Sequence, residues 1–159
     1  SYVQIIKSSI LDEIKQALKD YNLKPALLGI EVTESGYLEN TYHYKKLWST
    51  LKEEGITLIL DDYGTGYSNA YRLSNLTPHY IKIDRVLTQK ALSSNYERSI
   101  LIYIIEMAHS LKLKVCIEGV ETEEELQEIK KLNPDYIQGY LFGKPASEDE
   151  FYNQQIKKK

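Results

Sequence analysis

Apolar positions follow two alternating rhythms along this chain. Between Ser9 and Tyr21 they fall at Ile10, Leu11, Ile14 and Leu18, one face of a helix, and Ser9 with Asp12 has the spacing of a capping box. LLGIEVTE (27–34) then predicts a buried strand. Tyr42 to Glu54 is helical, with Leu47, Trp48 and Leu51 facing inward and Gly55 where a C-terminal cap belongs. ITLIL (56–60) reads as a strand, NAYRLSNL (69–76) as a short helix and YIKID (80–84) as a strand. From Tyr96 to Leu111 the helical spacing returns through Ile100, Tyr103, Ile104, Met107 and Leu111. KVCIEG (114–119) is a strand, Thr122 to Lys131 a helix and DYIQGYLF (135–142) a strand. Ser147 with Glu150 caps a last helix through Lys157. No low-complexity linker interrupts the series.

Strands alternating with helices predict an α/β fold with a mainly parallel sheet. In such sheets chemistry collects at the C-terminal ends of the strands. There the first strand offers Glu31 and Glu34, the second Asp61 and Asp62, and the third Lys82 and Asp84. The fourth offers Glu118 and Glu121, and the last Gln138. Two adjacent aspartates after an apolar strand repel each other, and burial raises the cost. A hard divalent cation is the simplest reason for such grouped acids, and all-oxygen ligands suit Mg²⁺ or Mn²⁺. Two metals about 3.5–4 Å apart, bridged by one aspartate, would clamp the attacking and leaving oxygens of a phosphoryl displacement. A nearby lysine would neutralise phosphate charge or position the attacking water. The carboxylate rim alone therefore points to metal-dependent phosphoester hydrolysis.

Each residue also has a plainer reading. Asp61 would be a turn acid, and Glu31 would point to solvent by strand alternation. Lys82 would guard an edge strand. Glu118 and Glu121 would start a helix, favoured by its dipole. Gln138 would satisfy buried backbone groups. Jointly these readings leave the repeated polar strand end unexplained. Cys116 is read as a small core residue. His43, His79 and His109 lack metal-ligand spacing and are read as surface or helix residues. ETEEELQEIKK (121–131) is a solvated helix with Glu-to-Lys pairs.

Composition narrows the classes. A net charge of -3 leaves no basic footprint for a nucleic-acid polymer. A single cysteine excludes an internal disulfide framework and fits a reducing compartment. No apolar run approaches the roughly 20 residues that span a bilayer, and no signal peptide is visible. Residue 1 is Ser and the only methionine is Met107, so the chain reads as processed or as a piece of something longer.

IEVTES (30–35), LDDYGTGYSNAYRLSNL (60–76), YIKIDR (80–85), CIEGVET (116–122) and IQGYLFGKP (137–145) resemble, in order, successive motifs of the EAL-domain family. These are bacterial phosphodiesterases that hydrolyse the second messenger cyclic di-GMP. The resemblance implies the later portion of a TIM-type barrel, with its site at the C-terminal rim. It implies that Glu31 and Asp61 bind a first Mg²⁺ or Mn²⁺ ion, that Asp61 bridges, and that Asp62 and Glu118 hold a second. Lys82 and Gln138 would orient the nucleophilic water. Glu118 is sometimes cast as a general base in this family, but the ligand role is preferred here. Glu34 would brace the loop of Gly64, Thr65, Gly66 and Ser68, which couples metal binding to dimerisation in the family. Glu121 would balance charge behind the site.

The chain contains no Glu-Ala-Leu tripeptide and no counterpart of a further asparagine ligand. Residues 1–159 therefore read as a single partial EAL domain that starts after the third barrel strand, since a whole barrel typically takes about 250 residues. Alone, it would have exposed strand edges, self-associate and hydrolyse little. The alternative is a degenerate, non-catalytic module that binds nucleotide or a protein partner. Either way the implied setting is cytoplasmic, or the cytoplasmic face of a membrane if a parent protein is anchored there.

Overall fold

A computed structural model describes residues 10–33, 41–64, 73 and 77–153. The chain runs through α1 (Ile10–Asp20), a 3-10 turn (Pro25–Leu27), β1 (Gly29–Thr33), α2 (Thr41–Glu53), β2 (Thr57–Tyr63) and β3 (Tyr80–Ile83). It continues through α3 (Arg85–Ser93), α4 (Asn95–Ser110), β4 (Lys114–Ile117), α5 (Glu123–Lys130), β5 (Tyr136–Ile137) and α6 (Glu148–Phe151). The five strands are hydrogen-bonded in the order β1-β2-β3-β4-β5, and each pair is parallel. Among the described residues every strand lies beside its neighbour in sequence, and the order does not reverse. That one-directional winding is how a (β/α) barrel wall is built, whereas a doubly wound sheet has a switch point.

Strand alternation gives the sheet two unlike faces. Leu58, Leu60, Ile81, Ile83, Val115 and Ile117 are at most 1% exposed and form one core with the helical residues Leu51, Leu101, Ile105 and Ile129. Each such side chain contributes about 2 kcal/mol by leaving water. The opposite face carries Glu31, Ile59, Asp61, Tyr80, Lys82, Cys116, Tyr136 and Gln138. Part of it forms an open pocket of about 280 Å³ lined by Glu31, Lys82, Cys116 and Gln138, among others. Among the described residues no helix is long and apolar enough to cross a membrane.

Several predicted elements are corrected. The first strand starts at Gly29, because Pro25 opens a 3-10 turn that takes in Leu27. The second does not stop at Leu60 but runs through both aspartates to Tyr63. DYIQGYLF supplies only Tyr136–Ile137 as strand; beyond it Phe142 N–H bonds the Gly139 carbonyl in a turn. One helix is unforeseen. Asp84 ends YIKID and caps α3 by accepting the Val86 N–H at 2.7 Å, and Ser94 then caps α4. The two caps, Asp84 and Ser94, were the available signal. The last helix keeps its Ser147–Glu150 capping box, but the described helix ends at Phe151. Ser9 and most of NAYRLSNL lie outside the described residues.

At the N-terminal ends of β4 and β5, Asp135 ties the strands together. Its carboxylate accepts the Val115 N–H at 2.9 Å and meets Lys114 Nζ at 2.6 Å and His109 Nε2 at 2.9 Å. Burial opposes its charge, but these donors prevail and hold the carboxyl down at about 2. A depressed carboxyl contributes stability above its unfolded value and loses it as pH falls through the folded value. Asp135→Asn is therefore expected to remove part of the acid destabilisation between about pH 4 and pH 2. Circular-dichroism melts of both chains across that window check it; parallel melting-temperature profiles would count against the assignment.

Candidate active site

At the C-terminal rim the strands deliver side chains to one point, the Lys82 ammonium. Alternation sends Ile81 and Ile83 into the core and turns Lys82 to the other face of β3. β3 is the central strand, so Lys82 is no edge guard. Register sets its surroundings: Lys82 lies opposite Cys116, two residues before Glu118, while Glu31 sits beside Ile59, two residues before Asp61. Lys82 Nζ stands 2.7 Å from Glu118 Oε1, 3.2 Å from Glu31 Oε1 and 3.3 Å from Asp61 Oδ1. Glu31 thus turns to the ammonium although its side chain is half exposed.

Lys82 is only 8% exposed, and burial by itself would weaken its hold on the proton. The bond to Glu118 and the fields of Glu118, Asp61 and Glu31 more than reverse this, holding the ammonium above the ordinary lysine range. Glu118 is pushed above the usual carboxylate range, first by burial and then by Asp61 and Glu31, with Lys82 opposing. Asp62 is raised for the same reasons, burial first and the neighbouring Asp61 and Asp84 next. Near-side negative charge therefore exceeds what one ammonium neutralises.

The aspartate pair owes its geometry to a bulge. Leu60 pairs with Ile81 but Tyr63 with Ile83, so β2 has one residue more than β3 between them. Asp62 takes it up in a left-handed conformation, φ 58°. Strand alternation alone would send adjacent side chains to opposite faces; the bulge keeps both aspartates within each other's field.

The donor chemistry fits a hard divalent cation. The ligand atoms are carboxylate oxygens, they carry excess negative charge, and Asp61 Oδ1 is buried without a directional hydrogen bond, Lys82 Nζ lying at ion-pair distance only. Among the described residues no three acid, thiol or imidazole side chains stand close enough to share one ion, and Lys82 bridges Glu31, Asp61 and Glu118 instead.

Gln138 follows β5 on the same face, its backbone tied to Ile117 and Val120, and its exposed side chain lines the pocket beside Lys82. A second pocket of about 470 Å³ opens next to it, lined by Glu118, Glu121, Gln138, Tyr140 and Lys144 among others. Glu121 does not reach Lys82; it pairs with Arg85 at 2.7 Å. Cys116 is buried as expected, and burial pushes its thiol up to about 11. His79 is a backbone acceptor, its Nδ1 taking the Leu58 N–H at 3.0 Å. Glu34, Thr65, Gly66 and Ser68 lie outside the described residues; Gly64 closes β2.

Gly139 lets the chain after β5 pass against the Val120 backbone. A Cβ there would sit 1.9 Å from the Val120 carbonyl oxygen, which is backbone and has no rotamer to escape into. Gly139→Ala is expected to cost about 2 kcal/mol and to push Gln138 away from Glu118. Urea denaturation reads the loss; a midpoint equal to the parent's would refute the contact.

The family model for the EAL domain matches residues 3–145. The chain belongs to the EAL domain family. Cyclic di-GMP phosphodiesterase NbdA of Pseudomonas aeruginosa is 37% identical over 139 residues, 87% of this chain and 18% of NbdA. Signaling protein YkoW of Bacillus subtilis is 36% identical over 148 residues, 93% of this chain and 18% of YkoW. The chain thus spans less than a quarter of the length of either relative. Among solved structures, the PaMucR phosphodiesterase in complex with c-di-GMP superposes with a TM-score of 0.87 at 30% identity, over 95% of this chain and 61% of that one. Klebsiella pneumoniae BlrP1 with manganese and c-di-GMP gives 0.84 at 28%, over 89% of this chain and 36% of that one. The five parallel strands of this EAL chain match those barrels over part of their length.

Proposed function

We propose that this EAL domain serves a cyclic di-GMP phosphodiesterase. The observation that carries the reading is the convergence of Glu31, Asp61 and Glu118 on Lys82 at one rim. Support comes from the relatives named for that activity. In the reaction a water oxygen bonds to phosphorus, one P–O ester bond breaks, and the departing 3′ oxygen takes a proton. Glu31, Asp61, Asp62 and Glu118 would hold Mg²⁺ or Mn²⁺. Such ions supply Lewis acidity and an acidified water. Lys82 keeps the carboxylates gathered and offers its ammonium to phosphate or water. Gln138, an amide on the same face, orients the attacking water by hydrogen bonding.

The test is conversion of cyclic di-GMP to the linear dinucleotide with Mn²⁺, with and without chelator. Turnover that chelation leaves intact would sink the metal-dependent reading. A second reading has its own observation: Lys82 already stands at ion-pair distance from three of the would-be ligands, as a non-catalytic nucleotide-binding module would allow. Tight cyclic di-GMP binding without turnover favours it. Residues 1–159 as a partial domain would turn over slowly and associate with a second copy. Glu34 would brace the Gly64–Thr65–Gly66–Ser68 loop that couples the two. Light scattering tests this part, and a monomer with robust turnover would overturn it. A second-messenger role carries a cytoplasmic setting with it.

A further inference from the structure

Glu118 sits at the start of a turn that must be held from outside β4. From Glu118 to Thr122 the chain leaves the sheet, bends at Gly119 in a left-handed conformation (φ +77°) and enters α5. The bend packs against α3: a Cβ on Gly119 would lie 2.3 Å from Arg85 Cγ and 3.1 Å from Arg85 Cα. One turn further along α3, half-buried Gln89 turns its amide to this bend. Gln89 Nε2 donates to the Gly119 carbonyl at 3.1 Å and to Glu125 Oε1 at 3.2 Å. The other oxygen of Glu125 accepts the Glu121 N–H at 2.6 Å and the Thr122 N–H at 3.3 Å. A single amide therefore ties both ends of the turn to α3, the helix that begins three residues after Lys82.

We propose that Gln89 is a positioning residue, which fixes the turn after β4 and so holds the Glu118 carboxylate on the Lys82 ammonium. Calling this a contribution to catalysis rests on the phosphodiesterase reading; the positioning itself does not. The route is physical and short. Without Gln89 the Gly119 carbonyl loses its side-chain donor and Glu125 one of its N–H partners. The turn then departs from α3, and Glu118, whose own N–H is bound to the Ile83 carbonyl, keeps its strand bond but loses its fixed exit. Were Gln89 only a surface filler for the first turn of α5, its removal would leave the Lys82 environment untouched.

The experiment compares the 159-residue chain with Gln89→Met, which matches glutamine in length and helix propensity, and with Gln89→Lys, which keeps a donor. Amide hydrogen exchange is read at Glu121 and Thr122, with Lys114–Ile117 as internal control. Solvent exchange of the Lys82 ammonium hydrogens is read by ¹⁵N NMR. Gln89→Met is expected to speed both the turn amides and the ammonium hydrogens about tenfold while β4 stays protected. Gln89→Lys should bring both within about twofold of the parent. An unchanged ammonium signal in Gln89→Met would overturn the proposal, as would loss of protection throughout the chain, which would make Gln89 a residue of general stability. Neither reading depends on turnover, so turnover that survives chelation would sink the metal-dependent phosphodiesterase reading and leave this one decided by exchange.

Discussion

Asp61→Asn is expected to lower divalent-cation-dependent hydrolysis of cyclic di-GMP at least about a hundredfold, roughly 3 kcal/mol of transition-state stabilisation. Among the four acids, Asp61 has the buried oxygen without a directional hydrogen bond, the atom most in need of a cation. The substitution removes that charge and keeps the shape. Lys82 retains Glu118 at 2.7 Å and Glu31 at 3.2 Å, so the fold should hold, with a melting temperature within about 3 °C of the parent. The pairing of outcomes is what tests the idea. Rates within threefold of the parent, in any form of the protein that turns over cyclic di-GMP, would remove Asp61 from the metal site. A large fall in melting temperature would make it a structural residue instead.

Lys82→Met should act the other way round, on stability first. It leaves Glu31, Asp61 and Glu118 facing one another with no cation, and removing one partner of a buried pair costs about 3 kcal/mol. For a chain of this size the melting temperature should drop by about 6–12 °C. The sign with pH follows from the raised lysine value. The ammonium's contribution is fully present below about pH 10 and is lost only as pH rises through the folded value. In the variant the naked carboxylates, led by the already raised Glu118, take up protons more readily, so the deficit should shrink on acidification. Saturating Mg²⁺ or Mn²⁺ should return part of the loss, since a ligand that binds only the folded state stabilises it. Thermal melts at neutral and mildly acidic pH, each with and without cation, read all of this. A variant as stable as the parent would show that the ammonium does not hold the cluster together.

The sequence by itself determined the alternation of strands and helices, the parallel α/β class and the acids at the strand ends. Those features are local. Period-two and period-3.6 apolar patterns survive in one dimension, and so do motifs such as LDDYG and YIKIDR. The family followed from the order of those motifs. Only the tertiary structure decided which charges meet. That Lys82 serves Glu31, Asp61 and Glu118 together depends on the register between four strands, and register is a relation between segments that no single segment encodes. The bulge at Asp62 was hidden for the same reason, because it exists only as a mismatch in length between β2 and β3. Glu121 illustrates the limit from the other side. Its place in CIEGVET suggested a role behind the metal site, and only the packing of the Gly119 bend on α3 shows that its direct partner is Arg85. Gln89 sits in a helix that apolar spacing did not reveal, and its two acceptors are 30 and 36 residues away. Contacts of that range are chosen by the packing of helix on strand, after the pattern of each has done its part.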